Sequence, residues 1–286
     1  LRSDASHGSR IPSHMSVDPE LDRDYSPSSV SKTPAADYII DYGRRSQKVV
    51  AALGERIERW SYGPGVDEYV LFARHSLVAP VLVFIHGGYW RALSADECCM
   101  WASDALDLGV SFASINYTLA PTATLDRIVA QCRMAMDWIN EGSGLQPVRT
   151  IVSGSSAGGH LAAMVSTARP TPHSIDGAVL LSGVFDLRPL VNTTVNDAIN
   201  LTTPDAVRLS PAHTRVNPVS AVRTVVGFEE TAAFKQQSAD YAAKLASSGI
   251  NATNHIVDGR DHFDLIYDLV TPGTLLGDMT IELLNS

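Results

Sequence analysis

The chain has 286 residues, 45% of them hydrophobic and 19% charged, with a formal net charge of -9. That balance excludes a disordered tail, a collagen-like fibre and a coiled coil, and no apolar run is long enough for a transmembrane helix. Acidity without a Lys/Arg cluster argues against a nucleic-acid partner.

Residues 1–14, LRSDASHGSRIPSH, are polar, lack a signal-peptide core and run into Met15 through a Ser-His-Met junction. They read as a vector-derived scar. Residues 15–34, rich in Ser and Pro, read as a flexible surface lead-in, and 35–286 as a single domain. A first strand is expected over 68–72. The next, 81–85, is Val-Leu-Val-Phe-Ile, apolar on both faces as in the middle of a sheet. A helix is expected over 94–108, opened by a Ser94-Ala95-Asp96-Glu97 capping box. A strand follows over 111–116. The helix over 125–139 sets Leu125, Ile128, Val129, Cys132, Met136 and Ile139 on one stripe. Then come a strand at 150–153, a helix at 157–167 and a strand at 178–182. The stretch 186–219 carries Pro189, Pro204, Pro211 and Pro218 and is expected to be irregular, capping a site. A strand at 222–226, a helix at 232–247, a strand at 253–257 and a helix at 262–269 complete the series. This alternation predicts the α/β class, a mostly parallel sheet with helices on both faces. Cys98, Cys99 and Cys132 fit neither a disulfide framework nor a zinc spacing. They read as small buried apolar residues in a reducing, cytoplasmic compartment.

Four stretches carry chemistry. Gly154-Ser155-Ser156-Ala157-Gly158 lies between a predicted strand and a predicted helix. A sharp turn there forces the central serine into a strained conformation and needs small neighbours, which makes Ser156 the candidate nucleophile. His86-Gly87-Gly88-Tyr89-Trp90 follows the apolar strand. The N–H groups of Gly87 and Gly88, with that of Ala157, are candidate donors to an oxyanion. Tyr89 and Trp90 are candidate walls of an acyl pocket, and His86 reads as structural. Of nine histidines, His262 in Asp261-His262-Phe263 alone has the position of a final triad member after the last strand. The acid that would orient it follows the strand at 222–226, in Gly227-Phe228-Glu229-Glu230-Thr231. Both glutamates are candidates, and Asp186 and Asp261 remain as alternatives.

Together these stretches resemble the α/β-hydrolases and, within them, the kynurenine formamidase (arylformamidase) group, near the hormone-sensitive-lipase-type esterases. The matching residues are His86 to Trp90, Asn116-Tyr117-Thr118-Leu119-Ala120-Pro121, Gly154 to Gly158, Phe234-Lys235-Gln236-Gln237-Ser238 and His262-Phe263-Asp264. G-x-S-x-G is common to the whole fold, whereas H-G-G-Y-W and the H-F-D ending are narrower. The resemblance implies an α/β-hydrolase fold with a small cap region and hydrolysis of an N-formyl or N-acyl arylamine by an acyl-enzyme route, with no metal and no cofactor. Aligned on Phe234 to Ser238, it puts the acid at Glu230, where the family usually carries Asp. A carboxylesterase of small acyl esters and a non-catalytic ligand-binding relative are the alternatives. The expected partner is a small aryl amide or ester, with no membrane partner and homodimer formation left open.

Overall fold

Five strands of the sheet are buried at every position, so both faces of the sheet must be covered. The computed structural model describes residues 17–168 and 175–286. The stretch 1–14, read above as a scar, and His173 lie outside the described residues. In chain order the elements are α1 (Pro19–Asp24), α2 (Ala35–Leu53), β1 (Ile57–Ser61), β2 (Tyr69–Ala73), β3 (Val81–Ile85), α3 (Ala102–Asp107), β4 (Ser111–Ile115), α4 (Leu125–Asp137) and β5 (Thr150–Ser155). They continue with α5 (Ala157–Ser166), β6 (Gly177–Leu181), α6 (Asn196–Ile199), α7 (Thr203–Arg208), β7 (Ala221–Gly227), α8 (Ala232–Ser247), β8 (Asn251–Val257) and α9 (Leu275–Asn285).

Among the described residues eight strands form one sheet in the order β1-β2-β4-β3-β5-β6-β7-β8. β2 runs antiparallel to both β1 and β4, and every other pair is parallel. The alternation of side chains along each strand divides the core in two. Val81, Val83 and Ile85 of β3 pack into one cluster with α4 and α5. Leu82 and Phe84 pack into the other with α3 and α9. Each such side chain, fully removed from water, contributes about 1.5–3 kcal/mol.

Three expectations change on contact with the fold. The helix predicted over 94–108 is reduced to α3. Ser94 Oγ donates to the Glu97 carboxylate at 2.6 Å and accepts from the Asp96 N–H at 3.1 Å, yet no helix begins there. The neighbouring polar groups bond at long range: Ala95 N–H to Asn116 Oδ1 at 3.0 Å, and Cys99 N–H to Ser46 Oγ at 3.2 Å. Tertiary partners therefore outbid local capping. The helix predicted over 262–269 is a single tight turn at Leu265–Asp268. Ahead of it the Asp261 carboxylate binds the N–H groups of Phe263 and Asp264, holding them in a turn. Finally, the residues read as a loose lead-in fold onto the body. Asp18 caps α1, Tyr25 and Pro27 are buried, and Thr231 Oγ1 donates to the Asp24 carbonyl at 2.7 Å. The irregular stretch 186–219 holds two short α-helices, α6 and α7, and single tight turns at Arg188–Asn192 and Pro211–His213.

Candidate active site

Beyond the ends of β3 and β5 opens a cavity of about 240 Å³. Ser156, between β5 and α5, has φ 58° and ψ -120°. For a serine this is a strained backbone, worth about 1–3 kcal/mol against a relaxed turn. The turn can exist because its neighbours lack side chains. A Cβ on Gly158 would come within 2.0 Å of the Ile85 carbonyl, and one on Gly154 within 2.3 Å of the Gly158 carbonyl. The strain delivers Ser156 into the cavity wall together with His262, Gly87 and Gly88.

His262 is buried, with its ring set edge-on to Phe234 at 4.6 Å. Its Nδ1 lies 2.7 Å from Glu230 Oε2. The other oxygen of that buried carboxylate accepts from Ser182 Oγ at 2.6 Å and from the Gly227 N–H at 2.7 Å. Both oxygens are thus fixed, and a donor on Nδ1 leaves Nε2 free to accept a proton. The other acids stand elsewhere. Glu229 is partly exposed and faces Lys32 at 3.6 Å. Asp186 pairs with Arg188 and His213. Asp261 receives Ser31 Oγ at 2.7 Å and Tyr38 Oη at 3.2 Å. Burial raises the Asp261 pKa, but these bonds and two backbone N–H groups outweigh it and hold the carboxyl below its usual range.

The loop at Gly87 and Gly88 is held from behind. Tyr117 stacks on the His86 ring at 4.1 Å, and its hydroxyl donates to the carbonyls of His86 and Gly87 at 3.0 and 3.3 Å. With those carbonyls engaged, the N–H groups of Gly87, Gly88 and Ala157 have no backbone acceptor among the described residues. A Cβ on Gly87 would approach the Ser155 carbonyl to 2.7 Å, so only glycine lets this loop lie against the serine turn. His86 is fully buried with Nδ1 3.0 Å from the Gly87 carbonyl, and burial pushes its pKa down to about 4. It is a neutral structural ring.

Tyr89 and Trp90 part company. Tyr89 lines the cavity and its hydroxyl donates to the Tyr25 carbonyl. Trp90 is 0% exposed, belongs to the core and is not among the residues lining the cavity, so its assignment to the pocket wall is corrected. Both residues have positive φ, 49° and 58°, and the double left-handed turn sends the indole inward, edge-on to His160 at 5.1 Å. The three cysteines are free and buried as expected. Cys98 also lines the cavity, and burial raises its thiol well above the usual range. No group of three or more His, Cys, Asp or Glu side chains that could hold a metal ion occurs among the described residues. Nor does any helix among them have the length and apolarity to cross a membrane.

Several wall residues went unseen in the sequence. Asp22, Tyr25 and Pro27 come from the N-terminal segment, Arg91 and Leu93 from the loop after Trp90, and Thr194 and Val195 from the irregular stretch. Only the last two carried a sequence signal, the proline-rich excursion. Ser182, which fixes Glu230, has φ 47° in the loop after β6, a feature visible only in three dimensions.

Comparison with known proteins agrees with this geometry. A family described as having the alpha/beta hydrolase fold matches residues 82–264. The kynurenine formamidase of Danio rerio is 31% identical over 95% of this chain and 97% of its own length. The chain belongs to the kynurenine formamidase family. The Drosophila melanogaster kynurenine formamidase is 26% identical over 86% of this chain and 91% of its own. Among solved structures, one from Silicibacter sp. TM1040 superposes with a TM-score of 0.83 at 26% identity, covering 93% of this chain and 99% of that one. An esterase from Pyrobaculum calidifontis shares the fold at a TM-score of 0.69 and 18% identity, over 95% and 99% of the two chains.

Proposed function

We propose that this family member is a metal-independent serine hydrolase that cleaves an aryl formamide, with N-formylkynurenine as the model substrate. The observation that carries the reading is the bond from His262 Nδ1 to a doubly anchored Glu230, with His262 and Ser156 lining the same cavity. In this reading His262 Nε2 takes the Ser156 proton as Oγ attacks the formyl carbon. The N–H groups of Gly87, Gly88 and Ala157 receive the oxyanion. Collapse of the tetrahedral intermediate breaks the C–N bond, and the proton on His262 passes to the departing arylamine. Water, deprotonated by the same ring, then attacks the formyl-serine and releases formate. Glu230 stabilises the imidazolium in both halves. The aromatic walls Tyr25, Tyr42, Tyr89 and Phe263 suit an aryl leaving group.

A second reading, hydrolysis of small acyl esters, uses the same acyl-enzyme steps. It is favoured by the 32% identity of 44% of this chain to a Mycobacterium tuberculosis protein named esterase LipQ. One sheet spanning β1 to β8 supports a single hydrolase domain, and free buried cysteines support a reducing, cytoplasmic compartment. The test compares N-formylkynurenine with p-nitrophenyl acetate, in the native protein and in Ser156→Ala. Formamidase turnover lost in a folded Ser156→Ala protein that no longer reacts with a fluorophosphonate upholds the reading. Ester turnover alone supports the second reading, and undiminished hydrolysis by the variant refutes both.

A further inference from the structure

The proposed mechanism draws on His262, Ser156 and the glycine pair of the cavity wall, yet Asp22 and Arg91 line the same cavity. The two are not paired with each other. Asp22, on α1, is half-buried and fixed in place: its Oδ1 accepts from both the N–H and the hydroxyl of Thr194, each at 2.7 Å. Its α1 helix is tied down by Asp18 N–H to the Asn192 carbonyl at 2.8 Å. Asp22 Oδ2 has no hydrogen-bond partner among the described residues. The Arg91 guanidinium, in the loop after the glycine pair, makes neither a hydrogen bond nor an ion pair to any described residue. Both charges reach the Tyr89 phenol. Its pKa is raised chiefly by burial, with Asp22 adding to the rise and Arg91 opposing it. A fixed anion and an uncommitted cation on one cavity, close to one aromatic ring, form a two-point recognition site.

We propose that Asp22 and Arg91 select a formamide whose aryl group carries a zwitterionic α-amino-acid head, Arg91 taking the carboxylate and Asp22 the ammonium. This inference rests on the formamidase reading and assigns the residues that would make such an enzyme prefer one formamide over another. Guanidinium binds carboxylate through parallel N–H donors, and an ammonium donates to the free Asp22 oxygen. A charge-assisted bond of this kind is worth roughly 10- to 100-fold in selectivity. Neither residue touches the reacting atoms, so their effect falls on the preference between substrates.

The experiment measures kcat/KM for three formamides: N-formylkynurenine, the same compound without its amino group, and the ortho-formamido aryl methyl ketone that lacks the whole head. The expected order is the order of decreasing charge. In Arg91→Gln the advantage of both carboxylate-bearing substrates over the methyl ketone shrinks by roughly 10- to 100-fold, and Arg91→Lys restores part of it. In Asp22→Asn, which keeps an oxygen for Thr194, only the advantage conferred by the amino group shrinks. Equal turnover of all three by the native protein, or preferences unchanged in both variants, overturns the inference and leaves the formamidase reading standing. Failure to hydrolyse any of the three formamides, with p-nitrophenyl acetate still cleaved, overturns both.

Discussion

Replacing Glu230 by Gln is the sharpest perturbation of the candidate triad, because the surroundings decide which way the new amide faces. Glu230 Oε1 accepts from the Gly227 N–H and from Ser182 Oγ. The backbone N–H cannot become an acceptor, so the Gln oxygen must stay on that side. The amide NH₂ is then turned toward His262 Nδ1, now 2.7 Å from a carboxylate oxygen. Facing a donor, Nδ1 must accept, and the ring proton moves to Nε2. That is the tautomer unable to take the serine proton, and the negative charge that stabilises the imidazolium is gone as well. Where a triad acid has been replaced by its amide, the loss is about 10⁴-fold in kcat, equivalent to about 5 kcal/mol of barrier.

The folded state loses little by the same change, since shape, volume and the two anchoring bonds persist. The assay is therefore single-substrate kinetics on an aryl formamide beside thermal melting of the same preparation. A kcat loss of three to four orders of magnitude, roughly, with a melting temperature close to native is the expected result. Glu229→Gln, altering a partly exposed pair with Lys32, should change kcat by less than about twofold. Near-native turnover by Glu230→Gln, or a larger loss in Glu229→Gln, refutes the reasoning.

The remaining predictions concern packing, acid stability and metal. Trp90→Ala should cost about 3–5 kcal/mol in a denaturant melt, because a fully buried indole leaves a cavity in the core; a stable variant with altered substrate preference would return Trp90 to the pocket wall. His86 and His160 have pKa values pushed down to about 4 by burial, against 6.5 for an open imidazole. The unfolded chain thus binds protons that the folded one refuses, so stability held above pH 6.5 drains away as the pH falls toward 4, by roughly 3 kcal/mol per ring. Denaturant midpoints measured between pH 7 and 4 check this, and a flat profile contradicts it. Hydrolysis should persist after prolonged dialysis against EDTA or phenanthroline, because none of the proposed steps requires a Lewis acid; activity lost and then restored by zinc would overturn the serine mechanism.

The central strands were legible in the sequence because each is apolar enough to be buried on both sides, and β3 is the extreme case. β1 was missed: four of its five residues are exposed, and as an edge strand it shows no alternating pattern. α2 was missed for a related reason, since only Tyr42, Ser46 and Leu53 of its 19 residues are buried. The helix predicted over 94–108 shows the opposite error, a local signal overridden by Asn116 and Ser46 from distant parts of the chain. Ser156 and His262 could be singled out as candidates because their setting is local, a strand-to-helix turn and a loop after the last strand. Between Glu229 and Glu230 the residue types alone could not choose. The choice rests on Ser182 and the Gly227 amide, which bond the carboxylate of Glu230.

The same division explains why the wall of the cavity was opaque. Catalytic groups sit where the strands end, so topology fixes them and a short motif can mark them. The remaining cavity-lining groups come largely from segments with no period of their own, brought in by bonds that cross the chain. Tyr25 is held by the Tyr89 hydroxyl and by Gln237 Nε2 at 2.9 Å, and Ser31 by Asp261 at 2.7 Å. Gln237 binds the N–H groups of Phe185 and Asp186 as well, at 2.9 and 2.8 Å, so one α8 side chain joins the N-terminal segment to the excursion after β6. A substitution at Gln237 would therefore unfasten two walls at once while leaving Ser156, His262 and Glu230 in their own hydrogen bonds. In such an architecture the chemistry can stay constant while the substrate changes, because the residues lining the cavity from these segments are anchored separately from the candidate triad.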